Sequence, residues 1–176
     1  MVTRREVLQG LIISMGGAGA LTACGGLANV AATAPGMQPR FYTSSEVALV
    51  ARICDLIIPR TDTPGALDAN VPGYLDGLMA DWANDETQDR HRNELSQLDM
   101  QLASRSGGDF RAISATEAEN VLRELDQDAF DDAPNLGGYR RLKGYITQAY
   151  FATEEGASEE LQWVAVPGRW DPDVRV

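Results

Sequence analysis

Apolar residues recur at helical spacing through most of the chain after Phe41, and capping signals mark where the runs begin. Thr43 with Glu46 forms a capping box, in which each side chain accepts from the other residue's backbone N–H. Val47, Val50, Cys54 and Ile57 follow at helical intervals, flanked by Leu49, Ile53 and Leu56. So wide an apolar face predicts a central helix packed on more than one side. Pro59 ends it. After a loop rich in turn residues, Asn70 with Pro72 opens a second helix, whose expected buried stripe is Tyr74, Leu75, Leu78, Met79 and Trp82.

A more polar helix is expected from Glu86 to Arg105, with Leu95, Leu98 and Leu102 on one face and Gly107 and Gly108 as its stop. Ser114 with Glu117 is a second capping box, and it opens a helix carrying Ala118, Val121, Leu122, Leu125 and Phe130. Beyond the turn ending at Gly138, a helix from about Tyr139 to Glu155 places Leu142, Ile146, Ala149 and Tyr150 inward, with Gly156 as its stop. A short helix from Ser158 to about Trp163 leads into an irregular tail ending at Val176. Few segments alternate as strands do. The expected fold is all-α, a single compact helical domain of about five to six helices.

The first residues follow a different pattern. Arg4 and Arg5 precede a weakly apolar run from Val7 to Leu21, and small residues and Cys24 follow. That order fits an export signal. The paired arginines resemble a twin-arginine signal, an address for exporting folded proteins, and Leu21 to Cys24 resembles a lipobox whose cysteine is acylated. A bilayer span needs roughly 20 apolar residues, more than this run provides, and Gly16, Gly17 and Gly19 disfavour a buried helix. Thr22 stands where a dinucleotide fingerprint needs its third glycine. The expected organisation is an export signal over 1–23, a flexible tether over 24–40 that lacks charge until Arg40, and a helical domain over 41–176.

The chain has 176 residues and a formal net charge of −11. Losing Arg4, Arg5 and Glu6 with the signal removes two positive charges and one negative, which leaves −12. That acidity argues against nucleic acid, which calls for clustered Lys and Arg, and against side-chain binding to anionic lipid. Membrane contact would then come from an acyl anchor at Cys24, where two chains suffice for stable attachment. With Cys24 lipidated, Cys54 is the one remaining thiol. It has no internal disulfide partner, and its apolar helical run favours a buried, inert thiol over a bridge to another chain.

A search for catalytic chemistry finds little. His91, the sole histidine, lies on the most polar helix with no Ser or Cys nucleophile placed to use it. No haem, zinc, phosphate-loop or EF-hand spacing occurs. Asp62 and Asp68, and Asp131 and Asp132, sit among turn residues, where Asp bonds backbone. Asp81, Asp85, Glu86 and Asp89 read as a solvated face. Tyr139, Tyr145, Tyr150, Phe151, Trp163 and Trp170 gather late in the chain. The tail with Trp163, Val166, Pro167, Gly168, Arg169 and Trp170 either folds back on its own core, the default, or docks against a partner.

Taken in order, these motifs resemble the gluconate 2-dehydrogenase subunit 3 family, the small or gamma subunit of membrane-associated dehydrogenase complexes. Glu46, Val47 and the run from Ile53 to Pro59 match its opening helix, and Thr61 to Ala66 with Val71 and Tyr74 to Asp76 match its second block. Leu98, Asp99, Phe110, Leu125 and Asp126 fit the middle, and Leu142, Lys143, Glu154 to Gly156 and Val166 to Gly168 fit the end. The resemblance implies a non-catalytic subunit that binds no cofactor itself. Its partners would be an FAD-dependent catalytic subunit of the GMC type, acting on a sugar, sugar acid or polyol, and a c-type cytochrome subunit carrying haem c. The large subunit of such complexes typically has no export signal and leaves the cytoplasm with its small partner. That implies twin-arginine export, a periplasmic location and attachment at the membrane. Some relatives carry a late cysteine; Tyr145 to Glu160 has none here. The competing reading is a free-standing helical envelope lipoprotein with a binding or structural role.

Overall fold

The computed structural model describes residues 32–131 and 133–161. Among the described residues five α-helices follow one another: α1 (Ser44–Ile57), α2 (Val71–Asp81), α3 (Asp85–Ser106), α4 (Ala115–Phe130) and α5 (Gly137–Phe151), then a π helix (Glu155–Glu160). The fold is all-α, and no strand occurs among the described residues.

Local chemistry explains most helix ends. Both capping boxes form: Thr43 accepts from the Glu46 N–H while Glu46 accepts from Thr43, and Ser114 and Glu117 do the same at α4. Asn84 caps α3 through the Thr87 N–H at 2.9 Å, and Gly107 closes that helix at φ 69°, a left-handed conformation that glycine adopts at little cost.

Three ends differ from the sequence expectation. Asn70 stands at the N-cap of α2 at φ 50°, but its side chain does not cap the helix. Its amide instead donates to the Thr33 carbonyl at 3.0 Å, and asparagine is among the few residues that tolerate this backbone region. Helix α5 stops at Phe151, short of Glu155. The Thr153 hydroxyl donates to the Tyr150 carbonyl at 2.6 Å and accepts the Gly156 N–H at 3.1 Å, so it closes the helix before Gly156 is reached. A π helix over Glu155–Glu160 covers the start of the helix expected from Ser158 to about Trp163, whose last two residues lie outside the described residues.

Helix α5 holds the centre, packing on α2, α3, α4 and the π helix, whereas α1 packs chiefly on α2 and α4. The core joins Leu49, Val50, Ile53 and Cys54 of α1 to Val71, Leu75 and Met79 of α2 and to the Leu95, Leu98, Leu102 stripe of α3. Leu122 and Leu125 of α4 and Tyr139, Leu142, Ile146 and Tyr150 of α5 complete it. Cys54 is fully buried, as expected of an inert thiol, and burial pushes its pKa far up.

Two residues expected inside lie outside. Trp82 is 54% exposed and Phe130 59%. Trp82 is the residue after the last turn of α2, and Phe130 is the last residue of α4, so neither belongs to the part of its helix that faces a neighbour. The Lys143 ammonium sits 5.0 Å from the Phe130 ring centre.

Candidate functional site

Asp76 lies on the same face of α2 as Pro72 and Met79, and only 1% of it is exposed. A carboxylate in that position needs donors, and the segment before α1 supplies them. The N–H groups of Arg40, Phe41 and Tyr42 donate to it at 2.8, 2.9 and 2.9 Å, and the Thr33 hydroxyl donates a fourth hydrogen bond. Burial alone would raise this carboxyl; the bonds from Arg40, Thr33, Tyr42 and Phe41 outweigh it and hold the group below the usual carboxylate range. Thr33 is also bonded through its N–H to the Gly73 carbonyl at 2.9 Å. The Arg40 guanidinium grips Asp81 with two bonds of 2.6 and 2.9 Å. Part of the stretch read as tether is therefore fastened to the body from Thr33 onward.

Next to this strap the chain enters the core as two aromatic residues. The Tyr42 hydroxyl meets Nε2 of His91 at 2.7 Å, and both residues are buried. The rings of Phe41 and Tyr145 lie 6.1 Å from the histidine ring. Arg92 stacks over Phe41 at 4.0 Å and donates to the Phe41 carbonyl at 2.6 Å. Burial pushes the Tyr42 phenol far up and holds His91 below the ordinary histidine range. Tyr42 is the group His91 meets, and no serine or cysteine is hydrogen-bonded to it among the described residues. The pair is fitted for joining the strap to α3.

A third polar cluster opens to the surface. A shallow cleft of about 230 Å³ between the end of α1 and helices α4 and α5 has Leu56, Ile57 and Leu122 among its apolar walls. On its rim Asp126 accepts the Tyr139 hydroxyl at 2.8 Å and the Lys143 ammonium at 2.6 Å, and Arg123 pairs with Glu119. Each charge already has a partner. Around the body, Trp82, Met100, Phe130, Phe151 and Leu161 present apolar side chains to solvent.

Of the carboxylate pairs singled out in the sequence, Asp68 plays a structural part. Asp68 accepts the Gly65 N–H at 2.8 Å and pairs with Arg60, which closes its loop. Asp131 is exposed, and Asp132 lies outside the described residues. Among the described residues, no group of three His, Cys, Asp or Glu side chains is placed to hold a metal ion, and no helix is long and apolar enough to cross a membrane. The export residues Arg4, Arg5 and Cys24, and the tail residues Trp163, Val166, Pro167, Gly168, Arg169 and Trp170, lie outside the described residues.

The sequence reading weighed His91 only as a catalytic candidate on a polar helix and did not expect His91 or Asp76 to be buried, although each carried a signal. Asp76 is a charge on the apolar face of α2, and His91 stands at helical spacing ahead of Leu95, Leu98 and Leu102. Neither the curated proteins nor the solved structures yield a match to this chain. The family model described as gluconate 2-dehydrogenase subunit 3 matches residues 44–168, from the first residue of α1 into the tail. The ordered motifs, the helical body and this match together establish that the chain belongs to the gluconate 2-dehydrogenase subunit 3 family.

Proposed function

We propose that this chain is the non-catalytic small subunit of a periplasmic dehydrogenase complex, serving to export, stabilise and tether an FAD-dependent catalytic subunit of the GMC type. The observation that carries this reading is the family match across the helical body, joined in one chain to Arg4, Arg5 and Cys24. A flavoprotein folds around FAD before it crosses a membrane, which requires a route that accepts folded cargo, and paired arginines address such a route. Oxidation of a sugar, sugar acid or polyol belongs to the partner's flavin, and a c-type cytochrome subunit with haem c takes the electrons onward. The polar groups of this chain support that division of labour. His91 is spent on Tyr42, Asp76 on the strap, and Asp126 on Tyr139 and Lys143. The exposed Trp82, Met100 and Phe130 offer apolar area of the kind that subunit contacts use.

The test is export in cells producing both subunits. Changing Arg4 and Arg5 together to Lys leaves both chains in the cytoplasm if the small subunit is the escort. Undiminished flavoprotein in the periplasm overturns the reading. Mass measurement of the mature N-terminus tests acylation of Cys24 separately.

A further inference from the structure

We propose that the groove beside Trp82, where α2 passes into α3, is a docking site for an apolar side chain that the catalytic subunit carries on a segment with Lys or Arg. The choice of that subunit as partner rests on the complex proposed above. Leu78, Met79, Trp82, Asn84 and Thr87 line the groove, and Tyr145 of α5 closes one wall. It holds about 300 Å³ and opens to solvent, at the low end of what a small-molecule pocket encloses. Such a groove fits a side chain presented by a protein better than an enclosed ligand.

The tryptophan at its edge is held in place by its own turn. The N–H groups of Trp82 and Ala83 both donate to the Leu78 carbonyl, at 3.1 and 3.2 Å. The Gln88 amide donates to the Met79 and Ala83 carbonyls at 2.8 and 3.2 Å, and Asn84 caps α3. The turn is thus tied down along its length while the ring stays 54% exposed. A partner meeting it has little backbone left to order, and tryptophan is among the side chains that carry most binding energy at interfaces.

Charge selects the occupant. Asp85 and Glu86 are exposed and stand in the chain between Asn84 and Thr87. The ion pairs of α3 use Arg92, Glu94, Asp99 and Arg105, so these two carboxylates have no ion-pair partner among the described residues. Asp89 and Arg90 follow with opposite signs. The helix dipole favours acids in the first turn of α3, which accounts for their presence and leaves their charge available to a partner. A symmetric pair of copies centred here would set this rim against itself, and each chain carries −11, so like charges disfavour a second copy. An anionic lipid surface is disfavoured for the same reason. A cationic segment with an apolar anchor satisfies both the groove and its rim.

Binding kinetics between the full chain and the purified FAD-dependent subunit, at low and high salt, test this site. We expect Trp82→Ala to speed dissociation about tenfold or more. Asp85→Asn combined with Glu86→Gln should slow association about threefold at low salt and flatten its salt dependence. Glu124→Gln combined with Asp131→Asn removes the same charge at exposed positions elsewhere and should leave both rates near those of the wild type. Circular dichroism checks that each variant keeps its helices. If the wild type binds and Trp82→Ala binds as tightly, the docking site is refuted while the complex stands. If the Glu124 and Asp131 changes slow association as much as those at the rim, overall charge is responsible and the basic segment is refuted. A wild-type chain that does not bind at all overturns the complex, and the site with it.

Discussion

The Tyr42 hydroxyl and Nε2 of His91 face each other at 2.7 Å inside the protein, and this contact, beside those of Arg92 with Phe41, joins the segment before α1 to α3. Removing the hydroxyl leaves a buried ring nitrogen without that partner. Tyr42→Phe keeps the ring packing against Phe41, so the loss isolates the hydrogen bond. An unmet buried polar group costs about 1–3 kcal/mol. We expect Tyr42→Phe to lower the unfolding free energy by about that amount in denaturant titration, without changing the helical content. A variant as stable as the wild type would show that the pair contributes nothing.

His91 also makes stability depend on pH. Its folded pKa is depressed, first by burial; Glu94 and Glu46 pull the other way, and Arg92 and Arg141 reinforce the depression. The unfolded chain protonates this ring near its ordinary value of 6.5, before the folded chain does. Between those two values the unfolded state binds more protons, so stability falls as pH falls. Below the folded value this contribution is fully lost and becomes flat. Thermal unfolding of the wild type should therefore begin at lower temperature at about pH 5 than at about pH 7.5. His91→Phe should reduce that difference. Equal slopes in the two proteins would assign the pH dependence to other groups.

Cys54 should be chemically silent in the folded protein. Its side chain is fully buried, and burial followed by the nearby Asp55 charge raises its pKa. Thiolate is the reactive form, so the native chain presents neither access nor the nucleophile. We expect iodoacetamide to leave the peptide containing Cys54 unmodified in the native protein and to label it fully after denaturation. Rapid labelling of the native chain would mean that α1 opens far more readily than its packing implies.

Most of the helical plan was legible because the signals that mark it are short-range. The boxes Thr43 with Glu46 and Ser114 with Glu117 span one helical turn and need nothing else to form. The stripe Leu95, Leu98 and Leu102 works the same way. What was not legible depends on distant partners. Three of the four donors to Asp76 are backbone N–H groups, which have no side-chain signature, and all lie 34 or more residues upstream. The central position of α5 depends on how the other helices pack on it; α1, whose broad apolar face predicted packing on more than one side, does pack on both α2 and α4, but α5 touches more elements. At the far end, one hydroxyl at Thr153 outranked the glycine that composition favoured as the stop.

Leu75 and Trp82 test the same distinction energetically. Both sit at helical spacing on the apolar stripe of α2, and from the sequence both belong inside. In the structure Leu75 is fully buried, while Trp82 follows the last turn and is 54% exposed beside Leu78, Thr87 and Tyr145. Truncating a buried leucine removes its transfer free energy and leaves a cavity, so Leu75→Ala should cost about 2–5 kcal/mol. Trp82→Ala removes a larger side chain but one that solvent already reaches over half its surface. Its cost in the isolated chain should stay below about 1 kcal/mol, closer to a surface substitution than to a core one. Denaturant titration of the two variants reads this ordering directly. If Trp82→Ala proved the more destabilising, the tryptophan would have to be packed in solution, and the sequence reading of α2 would be the better one.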